Sequence, residues 1–416
     1  MTLPLSAGVP LPPDQWESVR IRIMFDCCKW DIQSEDHSVV ADFPLMLEEE
    51  AWISLANYAE KMTNEIRAAE RELLCRPDLQ EILGLPESIL RVFRNCAPEE
   101  IATGAARVMR FDFHFTTEGW RISEVNADVP GGFIEGSGLV EIMAEYFPEY
   151  SSPLNPAKAY EEAIAAKVGE GGTVGLVHAT AHCDDRQVMQ YLAKGIERKG
   201  IQAIFLSPNH LIWESGLARI VSSFASVKPA LLVRFFPAEW LPNLRPASVW
   251  EPWFCGGKTP MSNPGSAILI QSKRFPLICK ELKTPLSTWQ SLLPETKSPK
   301  EISPDSEQWV FKPVFGRVGE DVAIAGVTEQ RAYEEIVYDV KRHPDEWIAQ
   351  RRFEMLPLET YVGARYACLG IFTLDGRAVG AYGRIAAKPL IDHDAQDVAV
   401  LIHRKEGGEF ESKRIV

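Results

Sequence analysis

From Glu48 to Leu74 the apolar residues Trp52, Leu55, Ala59, Met62, Ile66, Ala69 and Leu73 recur three or four positions apart, and that spacing predicts one long amphipathic helix. The period then changes to two. Between Val108 and Asp128, Phe111, Phe113 and Phe115 alternate with Arg110, Asp112 and His114, which predicts strands with one buried aromatic face and one polar face. Pro130, Gly131 and Gly132 close this unit, because none of them continues a regular element well.

Further on, Gly169, Gly171 and Gly172 precede an apolar strand from Val174 to His178, a helix near Arg186 to Arg198 and a second strand from Ala203 to Leu206. That order predicts a βαβ unit with a parallel sheet. Strands are also predicted at Ala230–Phe235, Trp309–Lys312, Val322–Ala325 and Trp347–Gln350, with an antiparallel pair around Ile371 and Ala381. The stretch from Leu241 to Pro264, rich in proline, glycine and tryptophan, is predicted to be a linker or substrate loop. The fold class is therefore mixed α/β, and 416 residues exceed what one hydrophobic core usually serves.

Composition narrows the function. No apolar run reaches the ~18 residues of a membrane span, and the amino terminus lacks a basic start followed by a long apolar stretch, so neither a membrane protein nor an exported one is expected. Eight cysteines occur without a CxxC pair or regular spacing, which argues against a zinc ribbon or a disulfide scaffold and predicts reduced thiols in a cytoplasm. The formal charge is −14, from 44 bases against 58 acids, and without a long basic run nucleic acid is a poor partner.

Some motifs fail on context. In Gly256-Gly257-Lys258-Thr259 the first glycine of a phosphate loop is replaced by Pro252, and no strand is predicted before it. The glycines at 169–172 lie before a strand rather than after one, which excludes a dinucleotide turn. His178, His182, Cys183 and Asp184 are split between a strand end and a loop, a poor set for zinc.

The polar face between Arg110 and Asp128 is more informative. If Thr117-Glu118-Gly119 is a three-residue hairpin loop with Gly119 left-handed, Thr116 pairs with Trp120. Asp112 then lies opposite Glu124, and Arg110 opposite Asn126. Opposed β-carbons sit about 4.5–5.5 Å apart, so the two carboxylates repel unless a cation intervenes. Asp112, Glu124 and the amide oxygen of Asn126 are hard donors suited to Mg²⁺, and Arg110 can hold a phosphate or oxyanion. A solvent-facing polar hairpin without a ligand fits the spacing as well. In WVFKPVFGRVGEDVAI, Lys312 ends a strand, and Gly316, Arg317 and Gly319 form a loop whose backbone can approach phosphates.

Together the hairpin, Lys273 after SAILIQS and the loop KPVFGRVG resemble the glutathionylspermidine synthetase family of ATP-grasp ligases over most of the chain. The family's Arg-x-Asp strand leading into Glu-x-Asn-Ala-Asp is matched by Arg110, Asp112, Glu124, Asn126, Ala127 and Asp128, and its Pro-x-Glu-Trp by Pro237, Glu239 and Trp240. The carboxylates precede the nucleotide lysines, as in this permuted family. The resemblance implies an ATP-grasp fold with a Rossmann-like preATP-grasp unit and an amino-terminal helical region. It implies Mg²⁺ on Asp112, Glu124 and Asn126, and ATP contacted by Lys273, Lys312, Gly316, Arg317, Gly319 and Gln350. Catalytic roles fall to Arg110 and to Arg384, with Arg365 a competitor for the γ-phosphate. Two departures stand out: the family's Ala-Asp-Thr-Pro is Ala127-Asp128-Val129-Pro130 here, and AKPLIDHDAQDVAVLIHR matches poorly.

The expected function is an ADP-forming carboxylate–amine ligase acting through an acyl phosphate. Glutathione is one candidate acid; a polyamine or an amino acid is a candidate amine. Alternatives are an ATP-grasp phosphotransferase and a non-catalytic ATP-binding protein. No amidase activity is expected from the residues before the hairpin. The expected division is an arm and helical region at 1–105, the metal hairpin and following helices at 106–165, a preATP-grasp-like unit at 166–265, a lid with the glycine loop at 266–350, and the rest of the ATP-grasp core at 351–416.

Overall fold

A computed structural model describes residues 3–34, 37–101, 105–221, 226–303, 306–316, 319 and 321–403. The amphipathic helix spans Glu49–Leu73, and the seven apolar residues that predict it are all buried. Its acidic residues serve other elements. Glu65 accepts from the backbone N–H groups of Thr288 and Trp289 at 2.8 and 3.0 Å, and Glu72 accepts from those of Lys283 and Thr284, each at 2.8 Å. The first pair opens the short helix Ser287–Leu292, where N–H groups lack intrahelical partners and a negative charge is favourable.

This helix packs on the central antiparallel sheet, whose order is Gln396–Val398, Arg377–Ala386, Gly363–Leu374, Val108–Thr116 and Gly119–Asn126. The predicted hairpin is therefore hydrogen-bonded to Gly363–Leu374, a strand from late in the chain, and Ile371 pairs with Ala381 as expected.

Within the hairpin, Asp112 lies opposite Glu124 and Arg110 opposite Asn126, as the register predicts, but the turn differs. Thr116 pairs with Gly119 rather than Trp120, and the loop holds only Thr117 and Glu118. Gly119 is left-handed at φ +85°, and the Thr116 hydroxyl accepts from Glu118 N–H and donates to the Gly119 carbonyl. A bulge between Phe113 and Asp112 then shifts the register by one, with Ser123 as the extra residue. The shorter turn and the bulge cancel. A bulge sets two residues of one strand against one of the other, and here it leaves Ile122 and Val125 in the core while Ser123 and Glu124 both line a cavity.

The βαβ unit is present: Thr173–His178 runs parallel to Gln202–Leu206 on one side and Leu231–Phe235 on the other, with helix Cys183–Glu197 between the first two. The Leu241–Pro264 segment is not a free loop. Met261–Ser262 adds an edge strand parallel to Leu231–Phe235, and Trp253 and Phe254 are fully buried, so its aromatic residues belong to the core.

A third sheet, ordered Thr296–Lys297, Trp347–Arg351, Trp309–Pro313 and Ala323–Ile324, carries helix Gln330–Arg342 on one face. Trp309, Phe311, Trp347 and Ala349 pack with that helix's Val337 and Val340. Alternation turns Val310, Lys312 and Gln350 the other way, toward the cavity. The amino-terminal arm is also structured: Leu5–Ala7 pairs with Leu45–Leu47, which pairs with Val400–His403.

One cysteine expectation is corrected. Cys96 and Cys255 form a disulfide, because the bridge between Ile101 and Cys255 and the Gly256 N–H to Glu100 carbonyl bond bring these two segments together. Cys27, Cys28, Cys75, Cys183, Cys279 and Cys368 are free thiols. No helix among the described residues is long and apolar enough to cross a membrane.

The hairpin exit is anchored by charge. Asp128 is ion-paired with Arg234, both side chains fully buried, and also accepts from Ala238 N–H at 3.0 Å. Arg234 donates in addition to the carbonyls of Phe236, Asn263 and Pro264. Removing one partner of such a pair strands the other charge in a dry interior. Asp128→Ala is therefore expected to lower unfolding stability by about 3–5 kcal/mol in a urea titration, and a loss near that of a surface substitution would contradict the anchoring role.

Candidate active site

One cavity of about 1290 Å³ is lined by Arg110, Asp112, Glu124, Asn126, Lys273, Lys312, Gly316, Gly319, Gln350 and Arg384, so every described site residue from the sequence faces the same space. Arg317 lies outside the described residues. Arg365 does not line the cavity and donates to the neighbouring Ala364 carbonyl, whereas Arg384 lines it.

The hairpin supplies the acids. Asn126 Nδ2 lies 3.0 Å from Asp112 Oδ2 and 3.5 Å from Glu124 Oε1, so the two carboxylates converge on one polar atom. That convergence fits a hard cation, since a flip of the Asn126 amide would present a third oxygen to the same point. Arg110 is not free to meet a ligand as it stands. It forms a two-point contact with Asp112 at 2.7 and 2.9 Å, donates to the Gly131 carbonyl at 2.7 Å and lies 5.0 Å over the Tyr382 ring.

The lysines come from two other regions. Lys273 sits in the turn between the short helices Ile268–Gln271 and Phe275–Ile278, 3.2 Å from Glu124, and donates to the Gly316 carbonyl at 2.7 Å. Lys312 donates to the Ser123 carbonyl at 3.1 Å, the residue at the bulge, and to Gln350 Oε1 at 2.8 Å. Gly319 is left-handed at φ +70°, and a β-carbon there would fall 2.3 Å from the Ile391 carbonyl oxygen, so only glycine fits. Arg384 donates to the Asp392 carbonyl at 2.6 Å.

These contacts set the charge states. Burial alone would push Glu124 up, but Lys273, Lys312 and Arg110 outweigh it and hold its carboxyl down to about 2. Burial draws Lys312 down to about 8, with Glu124 opposing and Lys273 adding to the drop. His114, buried and hydrogen-bonded to Ser123 Oγ at 2.9 Å, is lowered to about 3, by burial first and Lys312 second.

Sequence reasoning missed a second cluster. Lys29, Asp31, Glu135, Tyr382 and Asp397 line the same cavity, and Lys29 Nζ lies 2.6 Å from Glu135 and 3.1 Å from Asp397. A single glutamate in the apolar run GGFIEGSGL was the available signal. It stands at the start of a π-helical turn, Glu135–Leu139, a form enriched at functional sites.

Over residues 27–403 the chain matches the family model described as glutathionylspermidine synthase preATP-grasp, in keeping with a mixed α/β fold of ATP-grasp type. Among solved structures it is similar to a putative gamma-glutamylcysteine synthetase from Methylobacillus flagellatus KT. The two are 12% identical, the match covers 81% of this chain and 88% of that one, and the TM-score is 0.42. No curated protein matches.

His114 gives this site a pH signature. Its folded value of about 3 lies below the usual 6.5, so the unfolded chain takes up a proton that the folded chain refuses, and stability falls as pH drops below 6.5. Between pH 6.5 and 5 this amounts to about 2 kcal/mol. His114→Gln is expected to lose that part of the slope in urea titrations across the range; an unchanged slope would rule out a neutral buried imidazole.

Proposed function

The chain belongs to the glutathionylspermidine synthase preATP-grasp family, and on that premise we propose that it is an ATP-dependent ligase that joins a carboxylic acid to an amine with release of ADP and phosphate. The observation that carries this reading is the facing of Asp112 and Glu124 across one strand pair, with Lys273 and Lys312 brought to them from two other parts of the chain.

In this reading Lys273 and Lys312 bind the phosphates of ATP, Gly316 and Gly319 lie over them, and Gln350 borders the base. Asp112, Glu124 and Asn126 would hold Mg²⁺, which when bound would neutralise phosphate charge. Attack of the substrate carboxylate on the γ-phosphorus forms a C–O–P linkage and releases ADP. Arg384, already in the cavity, meets the charge on the transferred group. The amine nitrogen then attacks the acyl carbon, phosphate leaves, and the proton shed by nitrogen departs with it. Exclusion of water by the cavity protects the acyl phosphate. Arg110 acts by orienting Asp112, since its contacts are with that carboxylate, the Gly131 carbonyl and the Tyr382 ring.

The test is incubation with ATP and Mg²⁺ across a panel of acids, glutathione and glutamate included, with amines from amino acids to polyamines, reading ADP and product mass. With a productive pair, hydroxylamine in place of the amine should give a hydroxamate, the mark of an acyl phosphate. A phosphorylated product stable to hydroxylamine would instead favour a phosphotransferase. Asp112→Ala and Glu124→Ala are each expected to lower ADP release by about a hundredfold or more while remaining folded by circular dichroism. Retained turnover in either would refute the metal assignment.

A further inference from the structure

The second cluster in the cavity has an unusual composition. Lys29 Nζ is met by Glu135 Oε1 at 2.6 Å, Asp397 Oδ2 at 3.1 Å and Asp31 Oδ1 at 3.7 Å, and the side chains of Lys29, Glu135 and Asp397 are only 7, 9 and 9% exposed. The other oxygen of Asp397 accepts from Tyr382 OH at 2.7 Å, and Arg110 lies over the ring of that tyrosine. The cluster is therefore one aromatic ring away from the metal-binding hairpin, within the same cavity.

Two buried carboxylates, with the 41% exposed Asp31 at the rim, make a receptor for an ammonium group on an aliphatic stem. Here the chain fills the receptor with its own lysine. A buried ion cluster of this kind adds little stability compared with apolar residues of the same volume, so stability alone does not explain it. The backbone at its base is also constrained: Cys28, immediately before Lys29, is a buried non-glycine residue at φ 64°, a conformation that costs energy and persists only where its surroundings enforce it.

On the ligase reading the reacting nitrogen of the amine lies at the acyl phosphate beside the hairpin, and the cage across Tyr382 shares that cavity with the remote end of the amine. We propose that Lys29 is a specificity-determining residue. It occupies, from within the chain, the carboxylate cage that a second ammonium group of a diamine or polyamine would enter, and so restricts the amine partner to one with a single cationic group. This inference rests on the ligase reading above.

Two measurements test it separately from that reading. In thermal unfolding, propylammonium chloride is expected to stabilise Lys29→Ala relative to equal sodium chloride, by mass action on the emptied cage, and to leave wild type and Lys29→Arg unmoved. In ADP release with the acid found in the panel, the ratio of kcat/KM for putrescine over propylamine should rise roughly tenfold or more in Lys29→Ala and stay at the wild-type value in Lys29→Arg. Wild-type protein that already couples putrescine better than propylamine would overturn the proposal, even if the alanine variant did not fold. So would a folded Lys29→Ala indifferent to propylammonium. Absence of ADP release with every pair would count against the ligase reading, while the unfolding measurement would still decide whether the cage takes an ammonium.

Discussion

Two like charges held face to face impose most of the order in the cavity. Opposed carboxylates at ~5 Å repel by about 3 kcal/mol at an effective dielectric near 20, and the sheet fixes Asp112 and Glu124 in that position. The response is drawn from three places: Arg110 from the same strand, Lys273 from a turn between helices and Lys312 from another sheet. Each cation is held partly by backbone carbonyls, of Gly131, Gly316 and Ser123 respectively. A metal ion entering between the carboxylates would compete with these cations and release positive charge for phosphate, so acceptance of metal and of nucleotide should reinforce each other.

Holding that strand pair in place is a separate problem, and the chain solves it with buried polar groups rather than apolar contacts alone. Asp128 ties the hairpin exit to Arg234 of the parallel sheet. Gln271 accepts from the N–H groups of Ala127 and Asp128, and Asn263 donates to both of their carbonyls. Such groups are costly when unpaired and directional when paired, so they fix the angle at which the hairpin leaves the sheet more sharply than packing could.

Much of this was legible in the sequence because it is periodic. The Glu49–Leu73 helix, the βαβ strands and the pairing of Ile371 with Ala381 follow from spacing alone. The hairpin shows where spacing stops: its register at Asp112 and Glu124 was right although the turn was one residue shorter than expected, because a bulge at Ser123 restored the count. Nothing in the residue pattern announces that bulge. Lys29 and Glu135 were missed because they lie far apart in sequence and neither belongs to a periodic pattern, so that only the folded chain brings them within 2.6 Å. The burial of Trp253 and Phe254 in a segment that reads as loop reflects the same limit, since proline and glycine interrupt periodicity without excluding a core position.

The central sheet also constrains how the protein is made. Val108–Thr116 takes its second neighbour from Gly363–Leu374, so during synthesis the hairpin leaves the ribosome long before the strand that completes it. Until then one edge of Val108–Thr116 is unpaired and its phenylalanines lack their full cover, a state that invites pairing with another chain. Contacts of such sequence separation form slowly. Arg110 and Asp112 on that strand, part of the chemistry proposed for the finished protein, then act as a safeguard for the nascent one, because charged residues on an open strand edge discourage the wrong partner.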